Sequence, residues 1–209
     1  VKNQIEKGNY RYERKFRVST FSYSELLNII HFSPFLFREK FHQRTVNNIY
    51  LDTYELKNYF DNVDGHSERT KIRIRWYGDD HNEINAPQLE FKVKHGHVGS
   101  KKVFPLESFI FNKGFSRDHL MEVFNNSTLP DEIREILQYL RLSLYNKYQR
   151  RYFISSDGHF RITLDKNLHY FGLKDFSNNF LAKRSEVGVS VVELKYNPNC
   201  GSEATKIIE

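Results

Sequence analysis

Along most of the chain, apolar and polar residues alternate with the period of two that marks a half-buried strand. Residues 10–20 alternate, with Tyr12, Phe16 and Val18 against Arg11, Glu13, Lys15 and Arg17; only Arg14 intrudes on the apolar side. Residues 45–52 alternate again, Val46, Asn48 and Tyr50 opposing Asn47, Ile49 and Leu51. Runs at 67–77, 88–95 and 100–106 follow, the last two joined by Gly96, His97, Val98 and Gly99, a glycine-bearing hairpin signal. Residues 146–154 and 159–166 flank Ser155-Ser156-Asp157-Gly158, a turn with Asp-Gly chemistry. A final strand covers 189–196 and Pro198 ends it.

Elsewhere the spacing is helical. Ser22 stands three residues before Glu25, a capping box for a short helix through Leu26, Leu27, Ile29 and Ile30 that Pro34 closes. Thr53 can cap a second helix through Leu56, Tyr59 and Phe60. Residues 116–140 read as two helices, with Leu129, Ile133, Ile136, Leu137 and Leu140 in helical register and Pro130 at a first turn. Asp175–Glu186 is polar and reads as a mobile loop. Ala204, Ile207 and Ile208 begin another helix just as the sequence stops at Glu209, where the chain is expected to be cut short. About eight strands and four or five short helices result. With no internal repeat or linker, residues 1–209 read as a single domain.

The polar sides of the strands share one character. Lys71, Arg73, Arg75 and Tyr77 oppose Ile72, Ile74 and Trp76; Glu90, Lys92 and Lys94 oppose Leu89, Phe91 and Val93. Arg161, Thr163 and Asp165 oppose Phe160, Ile162 and Leu164; Glu193 and Lys195 oppose Val192, Leu194 and Tyr196. An open antiparallel sheet with one wet side explains any single strand. Over five strands the paired cations favour a second arrangement, a closed barrel with these sides turned inward and short helices outside. Two like charges ~8 Å apart repel by about 2 kcal/mol at an effective dielectric near 20, so such an interior needs an anion, or the few glutamates, to offset the repulsion. A phosphate chain suits it: Arg grips phosphate oxygens bidentately, Lys adds point charge, and the glutamates can hold a hard divalent ion.

Composition narrows the partners. The 209 residues carry 32 Lys and Arg against 26 Asp and Glu, a net charge of +6, which points to anions. The single Cys excludes an intramolecular disulfide and a cysteine zinc cluster. No apolar run approaches the ~18 residues of a membrane span, and no secretory signal precedes the pattern, so a cytoplasmic setting is expected.

These strands resemble those of the triphosphate tunnel metalloenzyme (CYTH-like) superfamily. Tyr12-Glu13-Arg14-Lys15-Phe16 is similar to the first-strand Glu-x-Lys signature. Ile72-Arg73-Ile74-Arg75-Trp76-Tyr77 and Leu89-Glu90-Phe91-Lys92-Val93-Lys94 resemble the paired-Arg and Glu-x-Lys strands. Asn47-Asn48-Ile49-Tyr50-Leu51-Asp52-Thr53, Tyr148-Gln149-Arg150, Arg161-Ile162-Thr163-Leu164-Asp165 and Val192-Glu193-Leu194-Lys195-Tyr196 complete the set. Within the superfamily the likeness is to the vacuolar transporter chaperone (VTC) domain, the polyphosphate-polymerase branch, in its bacterial form, over about residues 10–196. The resemblance implies an α+β fold built on a closed eight-stranded antiparallel tunnel with a basic lumen. It also implies transfer of the γ-phosphoryl of ATP to a growing inorganic polyphosphate chain with Mn²⁺ or Mg²⁺.

Carried over, Lys15, Arg73, Arg75, Lys92, Arg150, Arg161 and Lys195 cradle phosphates, and Tyr148 hydrogen-bonds a phosphate oxygen. All of these cations except Arg150 are also expected in the catalytic set. Glu193 is the main metal ligand, with Glu13 a second candidate. The strand after the hairpin supplies Lys101 or Lys102, and alternation with Ser100 favours Lys102. Arg11 stands where hydrolytic relatives carry the first Glu of Glu-x-Glu-x-Lys, which fits polymerisation better than two-metal hydrolysis. A triphosphatase or polyphosphatase and a non-catalytic polyphosphate sensor are the alternatives. A membrane-protein partner through a neighbouring chain is conceivable on this resemblance.

Other signals are weaker. Gly96–Lys101 lacks the Walker spacing and joins strand to strand. No His-Glu-x-x-His occurs, and His95 and His97 read as hairpin surface. Trp76 reads as core rather than as a base-stacking platform, so no nucleic acid is expected.

Overall fold

The computed structural model describes residues 12–78, 83–96, 98–178, 180 and 183–208. Arg11 and His97 lie outside the described residues. The strands are β1 (Tyr12–Val18), β2 (Arg38–Asp52), β3 (Glu68–Tyr77), β4 (Glu83–Ile84), β5 (Gln88–His95), β6 (Val98–Pro105), β7 (Phe109–Ile110), β8 (Arg141–Ile154), β9 (Phe160–Gly172), β10 (Lys183–Glu186) and β11 (Ser190–Tyr196). The helices are α1 (Tyr23–His31), α2 (Lys57–Val63), α3 (Arg117–Asn126), α4 (Asp131–Gln138) and α5 (Gly201–Ile208). The main sheet runs β1-β11-β9-β8-β2-β3-β5-β6, with β10 added on β9, while β4 and β7 pair separately.

The architecture is α+β and antiparallel, but the closed barrel expected from the sequence does not form. Among the described residues, β1 pairs only with β11 and β6 only with β5, so the sheet has two free edges. Closure requires strand tilt and shear to match around the whole sheet. Face alternation is a property of each strand alone and is identical in an open sheet. Both edges carry charge that discourages further pairing: exposed Glu13, Lys15 and Arg17 on β1, and Lys101 and Lys102 on β6, which ends at Pro105.

The chain packs as two compact units, described residues of Val1–Arg44, Tyr148–Leu168 and Glu186–Glu209 in one, and of Thr45–Lys147 and His169–Ser185 in the other. Strands β2, β8 and β9 have residues in both. In the first unit, Ile162, Leu164, Leu194 and Tyr196 form an apolar sheet face, covered by Leu26 and Ile30 of α1 and Ala204 of α5. The expected capping box holds α1 in place: the Ser22 hydroxyl accepts from the Glu25 amide, and the Glu25 carboxylate accepts from the Ser22 amide.

In the second unit, Ile49, Leu51, Ile72, Ile74, Leu89 and Phe91 meet Leu120, Val123 and Phe124 of α3 and Ile133 and Leu137 of α4. Trp76 is core, as expected. It is 2 % exposed, stacks on Tyr145 with ring centres 5.9 Å apart, and takes edge contacts from Phe109 and Phe111. Thr53 does accept from the first amide of α2, that of Lys57, but the stronger anchor is Asp52. Its carboxylate accepts from the amides of Thr53, Asn58 and Tyr59, where the helix dipole also favours a negative charge. The polar stretch read as a loop at 175–186 contains β10.

Trp76→Ala removes the centre of the aromatic cluster and is expected to destabilise the fold by about 3–5 kcal/mol. Urea unfolding followed by circular dichroism checks this; a midpoint close to wild type would show that Trp76 is dispensable.

Candidate functional site

The opposite faces of these sheets carry the charge. In the first unit, register sets Glu13 beside Lys195 and Lys15 beside Glu193. Across β11 it sets Lys195 beside Arg161, Glu193 beside Thr163 and Val191 beside Asp165. Glu193 is the hub and is 4 % exposed. Its Oε1 lies 2.7 Å from Lys195 Nζ and its Oε2 3.2 Å from Lys15 Nζ. Burial pushes this carboxyl's pKa up. Lys195 and Lys15, with Arg150 behind them, outweigh burial and pull it from 4.5 down to about 2. Glu13 Oε2 stands 4.0 Å from Lys195 Nζ.

On β8, Arg150 grips Asp165 with both prongs, Nε to Oδ1 at 2.6 Å and Nη2 to Oδ2 at 2.7 Å. Its guanidinium lies 5.1 Å from the centre of the Tyr148 ring. Burial works against the Arg150 charge, but Asp165 more than restores it and the pKa rises. Arg161 is different. Its Nε is buried without a partner, and among the described residues its side chain makes no hydrogen bond or ion pair. A buried donor left in this state costs about 1–3 kcal/mol, which an acceptor from outside the chain would recover.

In the second unit, register places Asn48 beside Arg75 and Tyr50 beside Arg73. It then places Arg73 beside Glu90. Lys71, Lys92 and Lys101 stand abreast across β3, β5 and β6. Like charges directly opposite one another destabilise a sheet unless an anion joins them. Glu90, 3 % exposed, is a counterion within the face. It accepts from Arg73 Nε at 2.8 Å and Nη2 at 2.7 Å, and from Lys101 Nζ at 2.7 Å. Arg75 Nε donates to Asn48 Oδ1 at 2.7 Å, and Asn48 Nδ2 donates to Asn146 Oδ1 at 2.8 Å. Burial pushes the Tyr50 hydroxyl's pKa up, yet Arg73, Arg75 and Lys71 outweigh it and the net shift is downward.

A protein-family model for the VTC domain matches residues 10–209. This chain belongs to the VTC domain family. No curated protein sequence matches it. Solved structures with the same fold include a candidate adenylate cyclase from Vibrio parahaemolyticus (14 % identity, 96 % of this chain and 84 % of that one, TM-score 0.50). Another, from Bacillus halodurans, has 14 % identity over 94 % of this chain and 84 % of that one, TM-score 0.51. A third, from Hippeastrum, has a dominant triphosphatase activity and matches at 13 % identity over 94 % of this chain and 85 % of that one, TM-score 0.50. At this level of identity these likenesses show that the chain shares the fold of those proteins.

Of the residues expected from the sequence, the VTC domain gathers Lys15, Arg161, Lys195, Glu193 and Glu13 with Arg150 and Tyr148 in the first unit. Arg73, Arg75 and Lys92 come together in the second. Lys102 does not join them. It stands opposite Phe91, on the apolar side of the sheet, whereas Lys101 stands opposite Lys92 and reaches Glu90. Register counted from Phe91 rather than from Ser100 puts Lys101, not Lys102, on the charged face. The roles of Glu90, Asp165 and Asn48 as the partners that orient the arginines were missed. Their signal was present, since each lies at the polar parity of its strand.

Among the described residues, no group of three or more acidic or histidine side chains converges as a metal cage. The donor set still suits a hard cation of the Mg²⁺ type, which usually takes one or two carboxylates and completes its shell with substrate phosphates and water. Glu193 and Glu13 are the carboxylates that would hold it. No helix among the described residues is long and apolar enough to cross a membrane.

The lowered pKa of Glu193 makes a pH prediction. Its contribution to stability is complete above pH 4.5 and is lost as pH falls toward about 2. Glu193→Gln should therefore flatten the loss of melting temperature over that interval. A variant as acid-sensitive as wild type would show that the ion pairs with Lys15 and Lys195 do not stabilise the fold.

Proposed function

We propose that the chain binds triphosphate and polyphosphate through these cationic faces and transfers the γ-phosphoryl of ATP to a growing inorganic polyphosphate chain. Arg161 is the observation that carries this reading: a buried guanidinium nitrogen without an acceptor among the described residues suits an external oxyanion. Membership of the VTC domain family supports the same substrate class. Lys15, Arg150, Arg161 and Lys195 bind phosphate in the first unit, with Tyr148 against them; Arg73, Arg75, Lys92 and Lys101 do so in the second. Phosphoryl transfer of this kind needs positioning and charge neutralisation rather than a covalent intermediate. The attacking group is the anionic end of a phosphate chain, so it needs no general base; the cations suppress its repulsion from the ATP phosphates. A divalent ion on Glu193 and Glu13 would add neutralisation where phosphate oxygens meet. The triphosphatase activity of the Hippeastrum structure favours a second reading, hydrolysis with water as the acceptor.

Incubation with ATP and Mn²⁺, followed by gel staining for polyphosphate, is expected to show chain growth. Phosphate release without chains would replace polymerisation by hydrolysis, and binding without either product would leave a sensor. In calorimetry, Arg75→Ala and Arg161→Ala are each expected to weaken tripolyphosphate binding more than tenfold, since both remove a charge-assisted contact in a partly dry site. Unchanged affinity in both would overturn the phosphate-binding assignment.

A further inference from the structure

A second buried orphan lies beside Arg161. Thr163 Oγ1 is shielded from solvent and has no hydrogen-bond partner, and none joins it among the described residues. It lies two residues from Arg161 on the same side of β9 and two from Asp165. Across the strand pair it stands opposite Glu193. The two neighbouring carboxylates are engaged elsewhere, Glu193 with Lys15 and Lys195 and Asp165 with Arg150. The neighbouring carboxylates thus leave this hydroxyl unused, although a hydroxyl can rotate its proton toward any acceptor in reach.

A threonine kept only for its shape at such a position would be better replaced by valine, which has nearly the same volume and no polar atom to satisfy. The structure assigns Thr163 a binding role that builds on the phosphate reading above: its hydroxyl donates to an oxygen of the same tetrahedral phosphoryl group that accepts from Arg161 Nε. The two donors are of different kinds, a neutral O–H and a charged N–H, spaced along one strand. A tetrahedral oxyanion offers oxygens in several directions and can accept from both; a planar carboxylate offers only two in one plane. The ligand class is therefore a phosphoryl group of a triphosphate or longer chain.

The test is Thr163→Val beside Thr163→Ser, each titrated with tripolyphosphate in EDTA and again with Mn²⁺, and each melted without ligand. Thr163→Val should weaken tripolyphosphate binding about tenfold in both buffers, the loss of one hydrogen bond to a charged acceptor. It should also raise the melting temperature of the free protein by about 2–4 °C, because the orphaned hydroxyl is gone. Thr163→Ser should bind within about twofold of wild type. Valine binding as tightly as wild type would overturn the assignment while leaving the phosphate reading intact. A loss confined to Mn²⁺ buffer would make the hydroxyl a metal ligand instead, and a lowered melting temperature would make it structural. A wild-type protein that fails to bind tripolyphosphate in either buffer would overturn this assignment together with the reading on which it rests.

Discussion

Charged side chains on a β-face can leave water only when each finds an opposite charge or a hydrogen-bond acceptor, because the penalty for an unpaired buried ion is several kcal/mol. Arg161 apart, the cations of the two charged faces meet that constraint through few carboxylates. Glu193 is held between Lys15 and Lys195, Glu90 between Arg73 and Lys101, and Asp165 in the fork of Arg150. The sheet cannot evade the constraint by turning these residues over. In each unit the other face is committed to helices, and a slip of one residue would carry Ile72, Ile74, Ile162 and Leu164 into the polar side. The apolar packing therefore fixes where the cations must stand, and the carboxylates fix how they are oriented.

This division explains what could be read from the chain. The period-two alternation identified the main strands and sorted nearly every side chain to the correct face, because that parity is written in neighbouring residues. The α1 capping box was legible for the same reason: Ser22 and Glu25 contain the whole interaction. Lys101 and Lys102 were not separable, because a choice between adjacent residues depends on the partner strand, and Phe91 supplies the register only once β5 and β6 are paired. Closure was further out of reach. It depends on tilt and shear summed over all the strands, and no local pattern distinguishes the free edges of β1 and β6 from joined ones. The short pairs β4, β7 and β10 carry too few residues for a period to show.

The chemistry of the site was legible as residue types and illegible as partnerships. Arg73, Arg75, Arg150 and Arg161 look alike in the sequence, each on a charged strand face. In three dimensions they divide. Arg73 and Arg150 are bound to carboxylates, Arg75 to the amide of Asn48, and Arg161 stands apart. What separates them is the residue one strand away, and that is set by tertiary register rather than by sequence neighbours. All four are cations of a strand face; only the groups that satisfy them set Arg161 apart.

The exception bears on how an anion would enter. Arg73 and Arg150 already spend their hydrogen bonds on Glu90 and Asp165, so phosphate reaching them must share or displace a carboxylate, and part of its Coulombic gain offsets what is lost. Arg161 and Thr163 demand no such exchange, because none of the described residues must be released from them first. On the proposed reading, a phosphoryl group therefore displaces no carboxylate at the unpaired donors of β9, and the carboxylate-held cations serve to keep the surrounding field positive and the geometry rigid. The same carboxylates limit how strongly a product can be held. A face of bare cations would bind a phosphate chain tightly and release it slowly, whereas intramolecular acceptors compete for each guanidinium and ammonium as a chain departs.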